Sequence, residues 1–235
     1  MFIPIGDDNS WRRTTPFIVY LIVATNLYVW YLQLAGGESF TASYAAVPFE
    51  LSHGLDLTAT NYITVRGEEI PIPQGPGPHP IYLTMLTSMF MHGSWLHLIG
   101  NMLYLLIFGD QIEDRMGHLR FILFYLSAGL AANLAQVFGE PNSILPCVGA
   151  SGAIAGVLGA YLVLYPHNRV RAILIRQVVV VPAFIVLGMW GVLQVLGQVS
   201  ARQGEGGVAY MAHLGGLIAG LLVGVLLRVR PERTS

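Results

Sequence analysis

The chain has 235 residues, 54% of them hydrophobic and only 11% charged, with a formal net charge of −1. A soluble domain carries about 25% charged residues, so a soluble enzyme, a disordered chain and a nucleic-acid binder with a basic face are all excluded. Every basic residue is arginine, and the single cysteine, Cys147, excludes an internal disulfide and any multi-cysteine metal site. What remains is an integral membrane protein with several spans.

The apolar runs come in chain order. The first, Phe17 to Ala35, has no small-residue cleavage signal after it and reads as a retained helix rather than a signal peptide. Residues 36–80 carry Glu38, Glu50, Asp56, Glu68 and Glu69 and are too polar to span. From Ile81 to Phe108 there is no Arg, Asp or Glu; Gly93 divides this stretch into an amphiphilic approach and a helix from Ser94 to Phe108. A third span is expected over His118–Phe138, a fourth within Ile144–Tyr165, a fifth over Ile175–Leu196 and a sixth over Ala209–Leu227. Backbone groups in lipid must pair internally, so the expected fold is an all-α bundle of six transmembrane helices. Residues 1–15 read as a short tail, 16–228 as the membrane domain with a long first loop at 36–80, and 229–235 as a second tail.

Arginine placement orients the bundle. Arg12, Arg13, Arg115, Arg120, Arg169, Arg171, Arg176, Arg228, Arg230 and Arg233 fall on one side, and only Arg66 and Arg202 on the other. Both termini are expected in the cytoplasm, and spans two, four and six then run from outside to inside.

Polar groups within spans are costly and mark function. His97 and Asn101 share one helical face in span two, span four opens with GASG at Gly149–Gly152, and span six carries His213 near its start. With the orientation above, His97, Ser151 and His213 fall in one layer below the outer surface. Pro146 and Gly149 oppose a regular helix before about Ala150. A helix from Ser151 to Tyr165 is then only about 22 Å long, against a hydrocarbon core of about 30 Å. The preceding segment must dip in as non-helical backbone, which puts Ser151 at a helix N-terminus, where free N–H groups favour negative charge. Span four carries Gly152, Gly156 and Gly159; Gly216, Gly220 and Gly224 lie on the face of His213, and Ser151, Ala155 and Gly159 form one small-residue stripe on span four. If these two stripes pack together, His213 reaches Ser151 and activates it as a nucleophile. Neither span four nor span six holds an acid to orient the imidazole, so the reading is a Ser-His dyad, with His97, Asn101 and the Ser151 N–H as oxyanion donors.

Singly, these features have ordinary readings: Ser151 as a packing residue, His97 with Asn101 as an interhelical pair, and the glycine runs as a homodimer seam. Together, HLIGN (His97–Asn101), GASG (Gly149–Gly152) and AHLGGLIAG (Ala212–Gly220) resemble the rhomboid family of intramembrane serine proteases. GDQIEDRMG, with Glu113 and Arg115, looks like the family's inner-side Glu-x-Arg turn, and His92 matches a histidine of supporting role. The resemblance implies Ser151 as nucleophile, His213 as general base, an oxyanion hole of His97, Asn101 and the Ser151 N–H, and supporting roles for His92, Gly149, Gly152, Glu113 and Arg115. It implies single-span membrane proteins as substrates, cut near the outer end of a helix at small residues, and no metal or cofactor. A bacterial inner membrane is the expected site of action, with an organelle membrane as the alternative. Two positions depart from the pattern. Leu83 and Thr84 stand where many relatives have Trp-Arg, and Ala155 stands where some have a tyrosine under the histidine, which leaves the support of the His213 ring unassigned. The alternative is a catalytically silent relative that binds or escorts membrane proteins. A transporter is disfavoured by the absence of a midplane acid, and a metalloprotease by the absence of HExxH. Water must reach Ser151, so a cover drawn from span five or the Gly197–Gly207 loop is expected to move.

Overall fold

The computed structural model describes residues 2–10, 12–65, 67–201 and 209–229. It opens with a strand, β1 (Phe2–Asp7), followed by α1 (Phe17–Tyr44). α1 runs well past the expected end because Gly37, at φ 65 and ψ −156, lets a second helical stretch join at an angle. A short α2 (Pro48–His53) and an antiparallel hairpin of β2 (Asn61–Val65) and β3 (Glu68–Ile72) fill the first loop. The approach to the second span is a chain of single turns that includes α3 (Thr84–Thr87). Then come α4 (Trp95–Met116), α5 (His118–Gly139) and α6 (Ser151–Leu164). β4 (Arg169–Leu174) and β5 (Gln177–Pro182) precede α7 (Ala183–Ala201) and α8 (Tyr210–Val229).

Among the described residues five helices of 19 residues or more are present (α1, α4, α5, α7 and α8) beside the 14-residue α6, but the all-α expectation is corrected by five strands. β1, β4 and β5 form one antiparallel sheet in the order β1-β4-β5. The fifth helix consequently begins at Ala183 rather than near Ile175. The physical reason lies in the residues: RVRAIL alternates charge with apolar groups, and QVVVVP is rich in β-branched side chains that lose rotamer freedom in a helix. The residues expected to be a loose N-terminal tail likewise supply β1. Among the described residues four helices are long and apolar enough to cross a membrane: α1, α5, α7 and α8. α4 is long but carries Asp110, Glu113, Asp114 and Arg115 in its second half, and α6 has only 14 residues.

α6 is the axis of the molecule; every residue from Gly152 to Tyr161 is buried. It packs mainly against α8, then α5 and α4. The contact with α8 is a backbone-on-backbone approach, since a Cβ at Gly216 or Gly220 would collide with the carbonyl oxygens of Gly152 and Gly156. The glycine faces of α6 and α8 thus meet within the chain.

The ends of the bundle differ in character. β1 pairs with β4, Arg12 bridges Asp110 at 2.9 Å, and Arg115 Nη2 donates to the Leu227 carbonyl at 3.2 Å. Arg12, Arg115, Arg169, Arg171 and Arg228 therefore gather at one end, opposite the helix starts that carry His97, Ser151 and His213. Arg66, Arg202, Arg230 and Arg233 lie outside the described residues, as do Gly204, Gly206 and Gly207 of the expected mobile loop; residues 197–201 of that loop are part of α7.

Candidate active site

Three helix starts and one non-helical segment build the site. Residues 144–150 run irregularly into α6, and their polar backbone is satisfied by protein. Cys147 exchanges two backbone hydrogen bonds with Ala46, at 2.8 and 3.0 Å, and Gly149 N–H donates to the Ser88 carbonyl at 2.9 Å. This is the form in which non-helical backbone persists at membrane depth. Gly149 adopts φ +138, which side-chain-bearing residues rarely do, so the chain can turn sharply into the helix at Ser151.

Ser151 is the first residue of α6, and its Oγ lies 2.7 Å from His213 Nε2. The glycine contacts of α6 and α8 bring the two helices this close, one turn below the pair. His97 leans in from the first turn of α4, where Ser94 caps the helix by accepting from the His97 N–H at 3.1 Å. A Cβ placed on Gly149 would fall 2.8 Å from His97 Cε1, 3.0 Å from its Nε2 and 3.3 Å from Ser151 Oγ. Glycine is required there so that the imidazole can stand beside the serine. Asn101, one turn further on, is buried and 2.9 Å from His92 Nε2 through its side-chain nitrogen. His92 is buried too and meets the His97 ring edge-to-face at 5.1 Å between centroids. Gln33 of α1 fixes the backbone there, accepting from the His92 N–H at 2.9 Å and donating to its carbonyl at 3.0 Å.

Gly152 sits one residue into α6 and packs against the Ala132 methyl of α5. Glu113 and Arg115 are at the far end, away from the serine. The Glu113 carboxylate is fully buried and accepts from the Ile18 and Val19 N–H groups at 2.9 and 2.8 Å, with His118 as a third partner. It therefore supplies from α4 the N-terminal cap that α1 lacks of its own. Leu83 is exposed, and Thr84 is buried with its hydroxyl on the Ile81 carbonyl at 2.7 Å.

One residue escaped the sequence reading. Gln194 of α7 places Oε1 2.7 Å from His213 Nδ1, and Trp190, a turn earlier, lies 5.8 Å from the same imidazole between ring centroids. The signal was available: Gln194 is a polar group within an apolar span, the criterion that singled out His97 and His213. A small cavity of about 20 Å³ opens beside Ser151, bordered by Ser88, Met89, Asn133, Cys147 and Gly152. That is room for about one water molecule.

The arrangement can do one kind of chemistry. A hydroxyl hydrogen-bonded to an imidazole, at a helix N-terminus that its N-cap side chain leaves uncapped, is suited to attack an electrophilic carbon and to hold the resulting oxyanion. Fold and site together define a multi-helix integral membrane protein with a half-buried serine–histidine pair at one end. The chain belongs to the rhomboid family, whose domain model matches residues 80–230. It is similar to YdcA of Bacillus subtilis, 28% identical over 172 residues that cover 72% of this chain and 77% of that protein. It is also similar to RHOMBOID-like protein 4 of Arabidopsis thaliana, 32% identical over 63% of this chain and 34% of the relative. Rhomboid protease GluP of Bacillus subtilis is 30% identical over 66% of this chain and 26% of its own length. For the last two, the match takes in a minor part of the relative.

Proposed function

We propose that the protein is an intramembrane serine endopeptidase that works through a dyad of Ser151 and His213. The observation that carries this reading is the 2.7 Å contact between Ser151 Oγ and His213 Nε2 at the start of α6. The name of one relative, a rhomboid protease, supports it.

Ser151 Oγ attacks the scissile carbonyl carbon while His213 Nε2 takes its proton. The oxyanion is held by the Ser151 N–H, by His97 and by the Asn101 amide, which His92 keeps in place. The imidazolium then protonates the leaving amine, giving an acyl-enzyme on Ser151. Water, deprotonated by His213, hydrolyses that ester and regenerates the serine. The substrates proposed are single-span membrane proteins, unwound near the outer end of their helix, with a small side chain next to the small cavity beside Ser151. Action in a bacterial inner membrane, with both termini cytoplasmic and α1, α4, α5, α6, α7 and α8 as the six spans, completes the reading.

The test is cleavage of a single-span substrate by the pure protein in liposomes, with fluorophosphonate labelling alongside. Ser151→Ala is expected to abolish both, and His213→Ala to lower cleavage by about 10³-fold or more. Cleavage that survives Ser151→Ala assigns the wrong nucleophile. A wild type that neither cleaves nor labels favours a silent escort of membrane proteins.

A further inference from the structure

A dyad without an acid leaves one question, which is what selects the tautomer of its histidine. Neutral imidazole carries its proton on either nitrogen, and only the Nδ1–H form leaves Nε2 free to accept from Ser151. The wrong tautomer is inactive however well placed the ring.

The contacts of Gln194 settle the proton's place by elimination. Its Nε2 is 3.2 Å from the Trp190 carbonyl, one turn back on α7. A carbonyl only accepts, so the amide nitrogen of Gln194 must face it and the amide oxygen must face His213. That oxygen, 2.7 Å from Nδ1, also only accepts. Nδ1 must therefore carry the proton, and Nε2 presents its lone pair to the Ser151 hydroxyl. Gln194 is itself only 9% exposed, so water does not readily replace it. The Trp190 ring packs beside the imidazole, tilted by 41° to it, and Tyr210 meets it edge-on at 6.5 Å between centroids. Among the described residues, His97 and Tyr210 are titratable side chains that face His213. An amide also suits this depth, since it orients the ring without placing a second charge in an apolar span.

We propose that Gln194 is the positioning residue of the dyad, fixing His213 as the Nδ1–H tautomer. The inference rests on the protease reading above and adds a dependence on a third helix. Ser151 belongs to α6 and His213 to α8, but the tautomer is set from α7, so the dyad is competent only while α7 is seated against α8.

The test joins a spectroscopic and a kinetic readout. The side-chain ¹⁵N spectrum of His213 in the full chain in micelles reads the tautomer whether or not the protein cleaves anything, and the Nδ1–H form is expected. An Nε2–H form overturns the proposal on its own. Gln194→Met keeps length and apolar fit but removes the acceptor. Gln194→Glu keeps an acceptor facing Nδ1. Gln194→Met is expected to lower kcat and the rate of fluorophosphonate labelling about 10- to 100-fold, with KM within about twofold. Gln194→Glu is expected to lose less than Gln194→Met and to move the acid limb of the rate profile to higher pH, since a carboxylate favours the imidazolium. A Gln194→Met enzyme at the wild-type rate, or one that outperforms Gln194→Glu, makes the residue mere packing and overturns the proposal. Silence of the wild type in both activity assays would instead count against the protease reading, and the spectrum would still decide the tautomer.

Discussion

Asp7 is the residue whose burial has the clearest energetic consequence outside the site. Its carboxylate accepts from the Tyr161 hydroxyl at 2.5 Å and from Gln111 Nε2 at 2.7 Å, where β1 meets α4 and α6. Loss of water around it outweighs these donors and pushes its pKa from the ordinary 3.8 up to about 6. The folded state therefore holds this proton more tightly than the unfolded chain. Stability is fullest below pH 4 for this group and falls as pH rises through about 6. The change amounts to about 2–3 kcal/mol. Thermal melts in detergent between pH 4 and 7 should show this decline, and Asp7→Asn should flatten it. An unchanged slope in Asp7→Asn would place the titration elsewhere.

At the scale of elements, the helices are joined by caps and close backbone contacts. Glu113 satisfies the first N–H groups of α1 from within α4, so Glu113→Ala leaves buried donors unpaired and should cost about 2–3 kcal/mol in denaturant or thermal unfolding. Gly220 allows α8 to touch the Gly156 carbonyl. Gly220→Ala pushes these helices apart and draws His213 from Ser151, so it should reduce cleavage more than substrate binding, with stability falling in parallel. The β4-β5 turn behaves differently. Ile175 is 85% exposed at φ 61, a conformation costly for a β-branched residue. Ile175→Gly should stabilise the hairpin by about 1 kcal/mol, and a drop in melting temperature would mean that the isoleucine side chain is itself held by lipid or protein.

Across the whole molecule, the chemistry sits at one end and the arginines at the other. The positive-inside rule predicts a cytoplasmic basic end, and under the proposed function hydrolysis would then take place near the opposite face. Single cysteines in a Cys147→Ser background test this. In right-side-out vesicles, an impermeant maleimide should reach Thr58→Cys directly but Arg13→Cys only after permeabilisation. The reverse pattern would invert the orientation and place the site at the cytoplasmic side.

Residue periodicity and chemistry are local properties, and the sequence determined what depends on them. The helices at His118–Gly139, Ser151–Leu164 and Tyr210–Val229 follow from apolar runs bounded by glycine and proline, and their limits were legible within a few residues. The candidate site was legible because His97, Ser151 and His213 are polar groups in apolar spans, and the direction of those spans assigned them one depth. Tertiary structure decided what depends on partners distant in the chain. β1 reads as a tail in the sequence because its six residues show no pattern until β4 pairs with them. The β4-β5 hairpin was hidden because an apolar, β-branched run suits strand and membrane helix alike until its neighbours are placed. Glu113 matches an inner-side turn in the sequence, and its role as the cap of α1 depends on a contact across 95 residues. The carbonyl of Trp190 and the imidazole of His213 meet Gln194 from two helices, so the proton on His213 is fixed by geometry that no single segment contains.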